Sequence, residues 1–428
     1  MNDSSIPQAD ASLAQWLDYV ANLHFTDIDL GLERVKKVAK KLDVLSPAKW
    51  VITVGGTNGK GTTCRVLEKI LIEDGYKVGV YSSPHLICYR ERVRIQEKML
   101  PEKCFTDAFH QVEKARGEIS LTYFEFGTLV ALLLFKSHQL GVVVLEVGLG
   151  GRLDAINIVD SDVAAITNID FDHIKFLGKD RHSIGREKAG IFRTNKPAVV
   201  ADPDIPDSVI RVAKEKAAHL RPIDQSWTFR PQGNQWIWES KERMLIDLPL
   251  PNVPLINAAC ALAVLHYFPK IISKEAIKRG LKGASLAGRF QMIDQKPLVI
   301  LDVAHNPHAA RYLLNHLTQF LKNAAKPGAQ LHAVVGMLKD KDIKGTLDIL
   351  SERVDHWYCA TLSEPRGASA QILASFLQKS AFLSPDVKSA WDQAMQAANP
   401  EDILLVFGSF HTIAPVMSAL NLRSTGDQ

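Results

Sequence analysis

Thr53-Val54-Gly55-Gly56-Thr57-Asn58-Gly59-Lys60-Gly61-Thr62-Thr63 is the stretch on which the reading of the whole chain turns. An apolar run, Trp50 to Val54, stops at two glycines, and an amphipathic segment over 61–73 follows. Strand, glycine turn, lysine, hydroxyl and helix are the parts that hold a nucleotide triphosphate. Glycines let successive backbone N–H groups converge on phosphate oxygens, and the helix N-terminus adds partial positive charge. Lys60 supplies a mobile point charge and Thr62 a hydroxyl suited to magnesium. The spacing departs from the usual phosphate loop, because Val54 stands where its first glycine would be and Gly61 separates Lys60 from Thr62. A plain glycine turn with a solvated Lys60 is the competing reading. The strand before the loop and the position of the lysine favour a nucleotide site.

Working outward, 428 residues are too many for one ordinary core and predict two domains. Hydrophobic residues make up 46% and charged residues 23%, as in globular proteins. The balance of 51 Lys and Arg against 47 Asp and Glu leaves +4, with no dense basic block. That argues against nucleic acid and suits small anionic ligands. Five scattered cysteines without a Cys-x-x-Cys pair indicate neither a disulfide framework nor a structural zinc site. Met1-Asn2-Asp3-Ser4-Ser5 lacks a basic region followed by an apolar core, and the apolar stretch 129–135 is far too short for a membrane span. A reduced, cytoplasmic setting is therefore expected, with no membrane partner.

Short apolar runs at 50–54, 77–82, 142–147, 162–167 and 197–201 read as buried parallel strands, separated by helical segments at 61–73, 103–116 and 124–138. A helix is also expected over 11–23. Trp227, Trp236 and Trp238 alternate with polar residues and lead to Pro249, Pro251 and Pro254, which suggests a small antiparallel patch and a proline-rich loop. Asn257 is then expected to open an alanine-rich helix over 258–267, with another over 273–281. A second α/β series places strands at 298–302, 331–336, 356–361 and 403–407. The chain thus reads as α/β, a mainly parallel sheet carrying the phosphate loop followed by a smaller Rossmann-like domain. Its hinge is placed at 283–288, giving domains 1–287 and 288–428.

In parallel sheets ligands collect at the carboxyl ends of the strands. Glu146 ends one such run, before Gly148, Gly150, Gly151, Arg152 and Asp154. A buried carboxylate needs a compensating cation. Magnesium beside phosphates would serve, and so would a neighbouring arginine. Ser82 and Ser83 end another strand, as metal ligands or turn residues. Asp170, Asp172 and His173 follow a third, where the preference of magnesium for oxygen favours the aspartates. Asn306 and Pro307 have the look of an N-cap and first helical turn, which leaves Asp302 and His305 unexplained. Arg289, at the hinge, could reach phosphates.

Gly55 to Thr62, Glu146 to Ala155 and Asp302 to His308 together resemble the Mur ligase superfamily and, more narrowly, the folylpolyglutamate synthases. Tyr81 to Leu86, Leu121 to Phe126 and Gly185 to Phe192 resemble the bacterial members that join glutamate both to dihydropteroate and to folates. The likeness runs from about residue 50 to 412. It implies an ATP-dependent amide ligase that uses L-glutamate, with two magnesium ions, acting as a monomer. On matching positions it implies that Thr57, Asn58, Gly59 and Lys60, with Gly61 and Thr62, hold ATP phosphates. Ser83, Glu146 and His173 are implied at magnesium, displacing the aspartates. Lys188 is implied to carry a carbamate, and Asn257, Arg289 and Asp302 to hold the nucleotide across a cleft. Thr122, Tyr123, Phe124 and Glu125, with Leu153, Asp154 and Ala155, are implied to line a pterin site. His305 is a candidate for orienting glutamate or handling its proton. Ile156 departs from the family pattern, which has threonine there.

Overall fold

The computed structural model describes residues 6–8, 10–26, 28–293, 295–324, 326 and 328–422. It divides the chain into two units, one ending at Ser285 and the other beginning at Leu286. The strands of the first unit's main sheet are β1 (Ala48–Gly55), β2 (Val78–Tyr81), β3 (Val93–Ile95), β4 (Lys98–Met99), β5 (Leu140–Glu146), β6 (Val163–Ile166), β7 (Pro197–Val200) and β8 (His219–Pro222). Their order is β4-β3-β2-β5-β1-β6-β7-β8. The pairs from β2 to β8 are parallel, and β3 and β4 add an antiparallel edge.

Alternate residues of the central strands serve opposite cores. Val143 and Leu145 join one buried cluster, while Val142 and Val144 join the other. Period-two side-chain alternation with both faces covered requires apolar residues at every position, which is why these strands stand out in the sequence. The helix Lys60–Glu73 begins at Lys60, one residue earlier than its sequence suggests, with Gly59 as its cap. It is not amphipathic but buried nearly all round, because it lies between the sheet and the helices Leu255–His266 and Lys274–Gly283. Three tryptophans anchor a small antiparallel sheet, β9 (Trp227–Gln232), β10 (Gln235–Ser240) and β11 (Met244–Pro249), in order β11-β10-β9. Trp238 is fully buried and its indole N–H donates to the Ala259 carbonyl at 3.1 Å.

Asn257 does not open its helix. The helix starts at Leu255 behind Pro254, so Asn257 is its third residue. Proline fixes the φ that a helix start needs and moves the boundary forward. Helices Glu33–Leu42, Arg181–Ala189 and Asp207–Glu215 are additions to the sequence reading.

The second unit holds β12 (Gln291–Ile293), β13 (Leu298–Asp302), β14 (Leu331–Val335), β15 (His356–Ala360), β16 (Ala381–Ser384) and β17 (Ile403–Phe407), in order β12-β13-β17-β14-β15-β16. Among these strands only β12 runs antiparallel. No helix among the described residues is long and apolar enough to cross a membrane.

Candidate functional site

Register decides which residues share an edge. Tyr81 of β2 lies beside Leu145 of β5, Glu146 beside Val54 of β1, and Gly55 beside Ile166 of β6. Four adjacent parallel strands therefore end together, delivering Ser83, Glu146, the loop 55–60 and the segment 167–173 to one edge. The chain passes from β1 to β2 on one side and from β5 to β6 on the other, so this is also where strand order reverses, the usual place for a ligand in an open α/β sheet.

The loop 55–60 is locked to its neighbours. Thr57 N–H donates to the Asn168 carbonyl at 3.0 Å, and Asn58 N–H to Asn168 Oδ1 at 2.8 Å. Thr57 Oγ1 lies 3.0 Å from both the carbonyl and the N–H of Asp170. Gly56 has φ 142°, and a Cβ there would stand 1.9 Å from Thr167 Oγ1. Gly59 has φ 78°, and its Cβ would meet Asn257 Nδ2 at 2.2 Å. Asn257 therefore rests directly on the loop. Lys60 Nζ curls back to the carbonyls of Gly56 and Thr57, both at 3.1 Å. A lysine folded over a glycine loop at the head of a buried helix is what anion binding requires. Gly61 and Thr62 form the first turn of that helix, with Thr62 buried.

Of the two serines after β2, Ser82 is engaged, since its Oγ accepts from Arg94 Nη1 at 3.1 Å. Ser83 follows it, half-buried, at the same sheet edge. Glu146 is buried at 5% exposure, and its charge bears on Arg94. The other nearby arginine, Arg152, pairs instead with Glu187 at 2.9 Å. His173 adopts a left-handed φ of 50° and caps the short helix Ile174–Leu177. Asp170 accepts from Phe171 N–H, and Asp172 from His173 N–H.

Lys188, on the helix Arg181–Ala189, is buried at 4% exposure and donates to the Gly56 carbonyl at 2.8 Å. Burial and the neighbouring Lys60 cation lower its pKa to about 7. The loop 148–155 lies against the end of the same helix, with Arg152 N–H donating to the Glu187 carbonyl at 2.8 Å. Asp154 is buried and accepts from Leu149 N–H at 2.7 Å and Ile156 N–H at 3.1 Å. Burial still pushes its carboxyl up to about 6. Leu153 is half-buried, and Ala155 and Ile156 are buried in a turn.

Thr122 and Glu125 turn out to have structural work. They form a capping box at the start of the helix Tyr123–Ser137, with Thr122 N–H donating to Glu125 Oε2 at 2.8 Å. Glu125 also pairs with Arg34 at 3.1 Å. Tyr123 and Phe124, half-buried, are the members of this segment with surface to offer a ring-shaped ligand. Phe124 packs over Gly148 and lies 6.0 Å from Tyr81, while the Arg92 guanidinium sits 5.5 Å from the Tyr123 ring.

In the second unit, Asp302 ends β13 and accepts from Phe290 N–H and Ala304 N–H, both at 2.8 Å. Burial raises its pKa against the pull of Arg289. The Arg289 guanidinium lies 5.9 Å from the Phe410 ring. His305 Nδ1 lies 2.8 Å from the Val303 carbonyl, which can only accept, so Nδ1 carries the proton. Asn306 caps the helix that begins at Pro307, its Oδ1 accepting from Ala309 N–H at 2.9 Å.

Among the described residues no three His, Cys, Asp or Glu side chains stand together as a metal cage. Magnesium does not require one, because it keeps several waters and takes one or two carboxylates along with phosphate oxygens. A buried Glu146 and a serine hydroxyl at neighbouring strand ends, beside a phosphate loop, suit that ion and would hold it only with its nucleotide.

Sequence reasoning missed Asn168 and Thr167, which clamp the loop, Glu68 and Arg94, which brace its surroundings, and Arg34, which pairs with Glu125. Thr122-x-x-Glu125 ahead of an apolar run was a visible capping signal. Arg94 between Val93 and Ile95 was visible as a charge in a short apolar run.

The pattern of the Mur ligase middle domain matches residues 54–243, and that of the Mur ligase glutamate ligase domain matches 288–410. Dihydrofolate synthase/folylpolyglutamate synthase of Escherichia coli is 54% identical over 98% of both chains. The protein of that name from Haemophilus influenzae is 47% identical over 97% of this chain and 98% of its own. Among solved structures, E. coli FolC in complex with DHPP and ADP superposes with TM-score 0.93 at 55% identity, covering 97% of this chain and 99% of that one. A bifunctional folylpolyglutamate synthase/dihydrofolate synthase with Mn, AMPPNP and L-glutamate bound gives TM-score 0.92 at 60% identity, covering 98% and 100%.

Proposed function

Because the chain belongs to the Mur ligase family, in its dihydrofolate synthase/folylpolyglutamate synthase branch, we propose that it joins L-glutamate to dihydropteroate and to folyl-glutamates at the expense of ATP. It is an ATP-dependent acid–amino-acid ligase that uses a divalent metal. The single observation that carries the reading of the site is the loop 55–60, held between Asn168 and Asn257 at the end of β1, with Lys60 folded over it.

A carboxylate resists amines because resonance and charge make it a poor electrophile. In the proposed reaction a substrate carboxylate oxygen attacks the γ-phosphorus and ADP departs, giving an acyl phosphate. The α-amine of glutamate then attacks the carbonyl carbon, phosphate leaves, and the amine proton is lost. Bound magnesium would neutralise phosphate charge, held through Ser83, Glu146 and His173. Gly59, Gly61 and Thr62 would grip the phosphates by N–H and hydroxyl donors, with Thr57 and Asn58, whose N–H groups are held by Asn168, fixing the shape of the loop around them. Lys60 would leave the Gly56 and Thr57 carbonyls to meet the transferring group. Asn257, Arg289 and Asp302 are assigned to the nucleotide. Tyr123, Phe124, Leu153 and Ala155 are assigned to the pterin, with Thr122, Glu125 and Asp154 shaping the loops that present them. His305, whose Nδ1 lies against the Val303 carbonyl, is assigned to orienting glutamate or handling its proton.

Lys188 is assigned as the carbamate. A lysine that is neutral near pH 7 has the lone pair that attacks carbon dioxide, and the new C–N bond forms with release of one proton. The resulting anion beside Lys60 would support a second magnesium ion. The protein is proposed to act as a cytoplasmic monomer.

The test supplies purified protein with ATP, magnesium and glutamate, and with dihydropteroate or tetrahydrofolate separately, and follows glutamate addition by mass spectrometry. Product is expected from both acceptors. Lys60→Ala should lower kcat by about 10²–10³-fold or more while the melting temperature holds. Product from neither acceptor, or full turnover by Lys60→Ala, overturns the assignment.

A further inference from the structure

A buried ionic network lies beneath the phosphate loop and outside the residues so far given a role. Glu68 sits two turns into the helix Lys60–Glu73 and is fully buried. Its Oε2 accepts from Arg65 Nη1 at 2.9 Å and from Arg94 Nη2 at 3.2 Å. Arg65 also meets Glu97 at 2.6 Å and donates through Nε to the Ser285 carbonyl at 3.1 Å. Burial alone would raise the Glu68 carboxyl, yet Arg94 and Arg65 hold it below its ordinary value.

Arg94 turns the network toward the site. It lies on β3, between β2 and β4, opposite Val80 and Met99, at 4% exposure. Its Nη1 donates to Ser82 Oγ at 3.1 Å and to the Glu91 carbonyl at 3.2 Å. Glu91 in turn gathers the loop that follows β2: its carboxylate accepts from Leu86, Ile87 and Cys88 N–H at 2.8, 2.7 and 2.6 Å. The segment 82–88 is therefore held from one side by Glu91 and from the other by Arg94. Through Glu68, Arg94 ties that segment to the helix whose first turn closes the phosphate loop.

Buried ion clusters add little net stability compared with apolar residues of the same volume, so stability does not account for this one. Geometry does. Metal-binding side chains are set by the groups behind them, and loosening those groups costs affinity. We propose that Glu68 and Arg94 are positioning residues for the ligase reaction, fastening the Ser82–Ser83 end of β2 to the phosphate-loop helix so that the Ser83 hydroxyl and the loop meet the metal–nucleotide as one rigid unit. This rests on the reading of Ser83 as a metal residue.

The test is Mn²⁺ affinity measured by electron paramagnetic resonance in the presence of AMPPNP, alongside KM for dihydropteroate and thermal melts. Ser82→Ala removes the direct bond from Arg94 to the serine pair and leaves the bonds of Arg94 to the Glu91 carbonyl and Glu68 in place. It should weaken Mn²⁺ binding about tenfold, with melting temperature and KM for dihydropteroate unchanged. Arg94→Gln and Glu68→Gln should weaken it at least as far and also melt earlier. The double variant Arg94→Met/Glu68→Met removes both charges of the pair and leaves Arg65 with Glu97, so it should melt later than either single variant without regaining affinity. Wild-type affinity in both Ser82→Ala and the double variant, with Ser83→Ala weakened, overturns the positioning role while leaving the metal reading of Ser83. Wild-type affinity in Ser83→Ala overturns that reading itself, and if Ser82→Ala is also unchanged both fall.

Discussion

Lys188 shows how far surroundings can move one group. Its ammonium is enclosed at 4% exposure, faces another lysine, and has one carbonyl at 2.8 Å to accept from it. Desolvation disfavours the cation, so the native pKa falls to about 7 from the ordinary 10.5. Between those values the unfolded chain holds a proton that the native protein has lost. Stability must therefore rise with pH through that window, by at most about 1.4 kcal/mol per unit. In carbon dioxide-free buffer, denaturant unfolding should show wild type gaining on Lys188→Met as pH climbs from neutral, and equal slopes for the two would show the amine is not buried as a cation at low pH. At this scale the sequence was half legible. Lys60 could be singled out by the glycine loop around it, and Glu146 and Asp302 because a polar residue closing an apolar strand has few structural reasons to be there. Nothing local distinguishes Lys188 from any helical lysine. Its environment is made by Gly56, more than a hundred positions away, and only chain folding brings them together.

Among the elements, the turn between β1 and its helix carries the tightest geometric demand. Gly56 has φ 142°, and its missing Cβ would fall 1.9 Å from Thr167 Oγ1 and 3.0 Å from Thr167 N. A rotamer change could move the hydroxyl but not the backbone nitrogen of a strand end. Gly56→Ala should therefore cost about 1–3 kcal/mol in chemical unfolding through strain. It should also abolish AMPPNP binding, because the loop N–H groups turn away; a variant that binds AMPPNP like wild type would show the loop has slack the contacts do not suggest. The central strands were legible for a related reason. Burial on both faces leaves little room for polar residues, so 50–52 of β1, 142–145 of β5 and all of β17 read as apolar runs. Edge strands β4, β8 and β16 are short and carry exposed residues such as Lys98, and β3, three residues long, is interrupted by the charge of Arg94, so all four dissolve into the loop background. The buried helix Lys60–Glu73 was recognised as a helix but misjudged as amphipathic, since Arg65 and Glu68 look solvent-facing until their mutual pairing is seen.

Across the molecule, both units place their polar residues at the carboxyl ends of parallel strands: Ser83, Glu146 and the phosphate loop in the first, Asp302 in the second. That repeated placement was readable from the amino-acid order alone, because it follows from the rule for ligands in open sheets. The order of bond making was not, since an acyl phosphate and an acyl adenylate would use the same loop. In the proposed site Lys60 and Glu146 are assigned to the phosphate end, where charge builds if the γ-phosphoryl group moves. Attack there makes the substrate carboxylate oxygen the bridge to phosphorus, and amide formation later breaks the bond from carbon to that oxygen. Dihydropteroate labelled with heavy oxygen in its carboxylate should thus deliver one labelled atom to inorganic phosphate for every amide formed, read by mass spectrometry of the phosphate. Label in AMP, with pyrophosphate released, would mean that attack falls on the α-phosphorus and that the charge-neutralising residues have been assigned to the wrong phosphate.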